Sequence, residues 1–164
     1  EYNLDADKKI IFLHPGTGGS SKVLSIENFI KICNGLRNFD DYNFLIHCSD
    51  SEEELARELK MKVDKNVKIR VIEPKPSILN MINNINICDV FIAGSTGPLH
   101  IAGALNKKTI GFYPSKKSST SLRWQTINSF HNRMTFSDIG QDKDSISIGN
   151  KKLILEIQKF ITSV

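Results

Sequence analysis

The stretch DVFIAGSTGPLHIAGAL, residues 89–105, constrains the fold of this chain more than any other. Residues 90–93 are a short apolar run, Gly94, Ser95, Thr96, Gly97 and Pro98 are turn formers, and residues 99–105 return to helix formers. That order reads as strand, tight turn, helix. Ser95 or Thr96 is placed to cap the helix, and Pro98 falls in its first turn, where a missing N–H has no intrahelical partner to lose. Two glycines beside free backbone N–H groups, at the positive end of a helix dipole, make a seat for an anion. His100 stands one turn into the helix, near enough to its start to face the same ligand.

A second loop of this kind lies near the start of the chain. Residues 8–13 (KKIIFL) are a compact apolar run of the type found in buried parallel strands, and they lead directly into HPGTGGSSK, residues 14–22. Residues 25–36 follow, with Ile26, Phe29, Ile30, Cys33 and Leu36 at helical spacing. The loop resembles a phosphate-binding P-loop in composition but lacks its G-x-x-x-x-G-K-[ST] spacing. Gly16, Gly18 and Gly19 allow close backbone approach, Thr17, Ser20 and Ser21 offer hydroxyls, and Lys22 offers a positive charge. A flexible Gly/Ser connection is the plainer reading of that loop alone; two such loops after two strands point to a phosphate-bearing ligand.

The remaining chain continues the alternation. Residues 42–48 (YNFLIHC) read as a strand and residues 51–59 as an acidic helix capped by Asp50 or Ser51. Asp50 is either that cap or, standing just past a strand end, an acceptor for ribose hydroxyls. Residues 67–72 (VKIRVI) read as a strand, residues 77–85 as a helix and residues 108–113 (KTIGFY) as a strand closed by Pro114. Residues 115–121 are rich in Ser and Lys and read as a loop; Trp124, the only tryptophan, is expected in the core, with a pocket wall as its other option. Residues 134–136 suggest a last strand, and residues 150–161 place Leu153, Ile154, Ile157, Phe160 and Ile161 on one helical face. Residues 1–7 read as a linker or tail and residues 8–164 as one domain. Five alternations of strand and helix imply an α/β fold, a Rossmann-like parallel sheet with helices on both faces. Ligands of such sheets bind off the carboxyl ends of the strands, where the loops at 14–22, 48–51, 73–77 and 94–98 all lie.

At 164 residues the chain can bury a full core, and 40% hydrophobic with 24% charged residues is a globular composition. The net charge of +4 is spread over lysine doublets rather than one basic block with interleaved aromatics, so nucleic-acid binding is not indicated. An anionic small molecule or membrane surface fits this charge better. Cys33, Cys48 and Cys88 are odd in number, far apart and set in apolar surroundings, which suits reduced core thiols and a cytoplasmic compartment. No run is long enough to cross a bilayer and the first residues lack a signal-peptide pattern, so membrane contact is expected to be peripheral at most.

The pairing of HPGTGGSSKVLSIENF with DVFIAGSTGPLHIAGALNKKTIGFYP about seventy residues later resembles the C-terminal half of glycosyltransferase family 9, the heptosyltransferases of bacterial lipopolysaccharide core synthesis. The resemblance spans nearly the whole chain. It implies one half of a two-domain GT-B glycosyltransferase: a C-terminal domain for a nucleotide diphosphate sugar, usually ADP-heptose, with the acceptor and the catalytic base in an N-terminal domain that this stretch lacks. Carried over residue by residue, it implies that Thr17, Gly18 and Lys22 contact the diphosphate, with Lys22 offsetting leaving-group charge. Ser95, Thr96, Gly97 and His100 would form the other half of the cradle, Asp50 would meet the ribose, and the backbone around residues 72–77 would flank the base. The partners implied are the sugar donor and, through the other domain, the lipopolysaccharide core at the inner face of the inner membrane. Helix dipoles and a lysine can stabilise a departing diphosphate without a metal, so neither metal nor other cofactor is implied. Asp5-Ala6-Asp7 and Asp142-Lys143-Asp144 match the D-x-D spacing of metal-dependent transferases but fall in the tail and in a polar loop.

Many heptosyltransferases carry Asp where this chain has Ser95, which leaves a different donor sugar open. A nucleotide-binding module without transferase activity is the alternative from another class, although two phosphate cradles and a lysine exceed what such a module needs. An epimerase of GT-B type would need carboxylates and histidines around the sugar that the sequence does not assign.

Overall fold

Four strands carry the fold, and their central residues are mostly apolar because both faces are covered. They are β1 (Lys9–His14), β3 (Tyr42–Ile46), β5 (Val90–Gly94) and β6 (Lys108–Tyr113), while β2 is a two-residue strand at Val23–Leu24 and β4 a shorter one at Ile69–Val71. The computed structural model describes residues 4–17, 22–39, 42–116, 120–140, 145–146, 148 and 152–163. With β7 (Arg133–Ser137), the main sheet has six parallel strands in the order β4-β3-β1-β5-β6-β7. Chain order reverses between β1 and β5, as it does in a doubly wound dinucleotide-binding sheet. A small parallel pair joins β2 to β8 (Ser145–Ile146).

Alternate side chains go to opposite faces. Ile11, Leu13, Phe44, Ile46, Val90, Ile92, Ile110 and Phe112 pack under α1 (Ile26–Leu36), α2 (Glu53–Lys62) and α6 (Leu153–Thr162). Phe12, Leu45, Phe91, Ala93 and Tyr113 pack under α3 (Ile78–Asn86) and α4 (Gly97–Ala104). Ser25 caps α1, its Oγ accepting from the Asn28 N–H, and Ser77 caps α3 in the same way. Cys33, Cys48 and Cys88 are buried free thiols, and burial raises all three, Cys48 to about 11.

Three expectations are corrected. The acidic helix starts at Glu53, later than residue 51, because a 3-10 turn over Asp50–Glu52 intervenes; the cap is Ser49, whose backbone N–H and hydroxyl both reach the Glu52 carboxylate, rather than Asp50 or Ser51. The strand expected over 67–72 keeps only its central three residues. Trp124 is not in the core: it ends the four-residue α5 (Ser121–Trp124) and remains 47% exposed.

The crossover from β6 to β7 is unusual for such a sheet, since among the described residues it holds only single helical turns, α5 and a 3-10 turn at Phe130–Asn132, and the rest is an irregular strap laid over α4. Its fit depends on Gly103, where a Cβ would stand 2.6 Å from Thr126 Cβ. Beneath the strap, Thr126 Oγ1 pairs with Thr109 Oγ1 at 3.0 Å and donates to Asn128 Oδ1 at 2.7 Å, and Asn128 Nδ2 donates to the Lys107 carbonyl. Gly103→Val is therefore expected to push the strap outward and lower stability by about 1–3 kcal/mol, the usual cost of overpacking, read as a lower urea midpoint at unchanged slope.

Candidate functional site

Parallel pairing puts every strand's carboxyl end on one edge of the sheet, and the loops that leave β1, β3, β4 and β5 there enclose a cavity of about 500 Å³. Its wall includes His14 and Thr17 after β1, Cys48 to Glu52 after β3, Pro74 to Ile78 after β4, and Thr96 to Pro98 after β5. Volume and position are those of a small-molecule site at a topological switch point. Part of the wall is apolar, with Ile78, Met81, Ile101, Pro74 and Pro76, a surface suited to a flat base. The rest carries the groups that meet phosphates and hydroxyls.

The β5 turn supplies the anion seat. Thr96 occupies the N-cap position with extended backbone, and Pro98 sits in the first turn of α4, so the N–H groups of Gly97 and Leu99 have no carbonyl one turn back. Thr96 is buried, yet its hydroxyl does not cap the helix; among the described residues it is a buried side-chain polar atom without a hydrogen-bond partner. Leaving such a group unpaired costs about 1–3 kcal/mol, which a ligand oxygen at the cavity wall would recover. Gly97 has open space where a Cβ would go.

Below the seat lie two histidines. The β1–β3 register pairs Leu13 with Ile46, which carries His14 and His47 past the strand ends together. Their rings are 5.4 Å apart, His14 Nδ1 lies 3.0 Å from the His47 carbonyl, and the two Nδ1 atoms are 3.4 Å apart. A carbonyl only accepts, so His14 Nδ1 holds the proton and His47 Nδ1 faces it as an acceptor. Both rings are held neutral: burial lowers His14, and burial with the neighbouring His14 pushes His47 down to about 4.

Of the residues singled out from sequence, Thr17, Asp50, Thr96 and Gly97 come together in the cavity wall. Gly18 lies outside the described residues. Ser95, Lys22 and His100 are not among the lining residues. Lys22 Nζ instead sits 2.7 Å from Asp138 Oδ2, a carboxylate buried at the end of β7. The His100 ring rests edge-on against Trp124, 6.3 Å away, and Ile101 lines the cavity in its place. Asp5, of the first D-x-D, pairs with Lys8 and Lys68 at the other end of the sheet, and the second D-x-D lies outside the described residues. Sequence reading did not single out His14, His47, Glu52 or Met81. Only the histidine that closes each of the two strands gave a local signal for them.

Comparison with known proteins decides the family. A model described as glycosyltransferase family 9 (heptosyltransferase) matches residues 1–142. The chain belongs to glycosyltransferase family 9. It is 34% identical over 98% of its length to a protein of Haemophilus influenzae named as a candidate glycosyltransferase, covering 47% of that protein. It is 28% identical over 74% of its length to lipooligosaccharide heptosyltransferase 2 of Campylobacter jejuni, covering 38% of it. The family 9 chain thus spans less than half the length of these curated relatives. Its fold matches E. coli ADP-heptose lps heptosyltransferase II with a TM-score of 0.78 at 16% identity, over 98% of this chain and 48% of that one. E. coli heptosyltransferase WaaC with ADP gives 0.75 at 15% identity, over 98% and 47%. The Rossmann-like architecture of family 9 is therefore present in this chain.

Proposed function

We propose that this chain is the donor-binding part of an inverting heptosyltransferase, which takes the sugar from ADP-heptose and adds it to a lipopolysaccharide core. The observation that carries the reading is the buried, unpartnered Thr96 hydroxyl at the start of α4, in the wall of a cavity that is otherwise partly apolar. In this reading the base lies against Ile78, Met81 and the backbone at 74–77, and Asp50 accepts from the ribose. Thr17, Gly18 and the α4 N-terminus hold the diphosphate. Lys22 offsets charge on the departing phosphate by exchanging the Asp138 carboxylate for the ligand, with Ser95 next to the sugar, while His100, turned to Trp124, takes no part in this reading. Helix dipoles and a fixed lysine stabilise the leaving group where its charge develops. The acceptor and the base that activates it belong to a second domain, so these residues alone bind donor without transferring it, and the reaction takes place at the cytoplasmic face of the membrane.

Family membership and the presence of ADP in one matched structure support ADP as the nucleotide. Ser95, in place of the aspartate that the family resemblance leads one to expect, favours a second reading with another sugar on the same diphosphate. Calorimetric titration with ADP, UDP and GDP tests the first point. ADP should bind most tightly, and Lys22→Ala should weaken ADP by about 1–3 kcal/mol while leaving adenosine unchanged. Equal weakening of adenosine would remove Lys22 from the phosphate site, and no binding by any diphosphate would overturn the donor-site reading.

A further inference from the structure

The two faces of the sheet differ in charge. Residues 74–137, which carry α3, α4, α5 and the strap, contain seven Lys and Arg, of which Lys108 turns to carbonyls at the end of α6 on the other face, and a single acid, Asp89, although the whole chain has 22 cations and 18 acids. Asp89 accepts a hydrogen bond from the Ile10 N–H, at the sheet edge opposite the cavity. The helices of the other face bear Glu27, Glu53, Glu54, Glu58 and Glu156 beside Lys31, Arg57, Lys60, Lys62 and Lys159, so their charges balance. The same acid-poor span holds seven of the ten exposed large apolar side chains among the described residues, four of them on the strap. Leu122 is 87% exposed, Ile127 80%, Phe130 75% and Trp124 47%. Thr126 and Asn128 turn inward to the buried network, which leaves Ile127 turned out between them. Arg123 lies within the apolar row and Lys116 precedes it in sequence, and both are exposed.

We propose that the strap at residues 122–130 is a membrane-contact surface, seated on an anionic lipid bilayer with its apolar side chains in the headgroup boundary and the exposed cations against lipid phosphates. Contiguous exposed apolar groups mark a contact site, and aromatic side chains bordered by Lys and Arg suit the boundary between headgroups and acyl chains. No helix among the described residues is long and apolar enough to cross a membrane, so the contact is interfacial. Two other occupants fit less well. A domain seated over the cavity mouth would not cover the far end of the strap, since Asn128 and Ser129 bond to Lys107 and Asn106 at the opposite edge of the sheet. A second copy would bring two acid-poor cationic surfaces together, which like-charge repulsion opposes.

Trp124 is the only tryptophan and reports the contact directly. The chain is mixed with vesicles of phosphatidylglycerol and phosphatidylethanolamine, or of phosphatidylcholine alone, and followed by tryptophan emission and co-sedimentation. A blue shift and sedimentation with the anionic vesicles only, both reversed by high salt, are expected. Arg123→Gln should reduce partitioning about fivefold, the effect of one juxtamembrane cation, and Leu122→Ser with Phe130→Ser should abolish the blue shift while circular dichroism stays unchanged. Absence of partitioning into anionic vesicles at low salt would overturn the proposal. So would sedimentation that the folded double variant retains, or a dimer in solution that the double variant dissolves.

Discussion

A Gly97→Asp chain is expected to lose ADP binding while keeping its fold. The α4 N-terminus has open space at this position, so the new side chain enters without a clash. A carboxylate in the first turn complements the helix dipole and should leave stability unchanged or raise it by about 0.3–1 kcal/mol. The same carboxylate occupies the anion seat. Repulsion between two unit charges about 4 Å apart near a protein surface is on the order of 4 kcal/mol, roughly a thousandfold in affinity. Calorimetry and a thermal melt on one preparation read the two signs together. Undiminished ADP affinity would place the diphosphate away from α4, and a large fall in melting temperature would mean that Gly97 is needed by the fold.

Acid should unfold this chain earlier than carboxylate titration alone would, through the histidines under the cavity. In the folded chain His14 and His47 resist protonation because they are buried against each other, and His47 titrates near 4; unfolded, both would titrate near the ordinary 6.5. The folded pKa values are depressed, so the stability they confer is fully present above pH 6.5. It is lost as pH falls towards 4, because the unfolded chain takes up protons that the folded one refuses. A histidine changes stability by at most about 1.4 kcal/mol per pH unit, and the solvent-exposed edge of His47 reduces this, so His47 alone is expected to cost roughly 1–3 kcal/mol between pH 6.5 and 4, with His14 acting in the same direction. His100, lowered by burial, adds to the same window. Urea midpoints measured across that range should fall steeply for the native chain and clearly less for the His14→Gln, His47→Gln double variant. Parallel slopes for the two chains would show that these rings are not the buried acid sensors described.

The parts of the site legible in the sequence were those set by local chemistry and by topology. Glycines and hydroxyls after an apolar run announce a strand-to-helix turn, and a parallel sheet delivers all such turns to one edge; that is enough to bring Thr17, Asp50, Thr96 and Gly97 into one cavity wall. What depends on register or side-chain direction was not legible. His14 and His47 are neighbours because β1 and β3 pair side by side in one register, a fact carried by neither strand alone. The partner of Lys22, Asp138, lies 116 residues further along the chain. Nearness in sequence puts His100 beside the anion seat, but nothing in the sequence shows that its ring packs against Trp124 while Ile101 meets the cavity. Trp124 was assigned to the core on hydrophobicity, which does not say that the crossover over α4 would be a strap too thin to bury it.

The position of β1 also bears on how the chain is made. β1 is the earliest strand of the main sheet and lies at its centre, with β3 and β4 on one side and β5, β6 and β7 on the other. As the polypeptide leaves the ribosome, one side of the sheet can assemble once residue 71 has emerged. The other edge of β1, lined by Ile11, Phe12 and Leu13, then waits for β5 near residue 90. Through that interval an apolar strand presents unpaired N–H and C=O groups to any neighbouring chain. The interval between synthesis of β4 and of β5 is thus the stage at which chaperone cover matters most, and a stall between residues 71 and 90 is the translation defect most prone to aggregate.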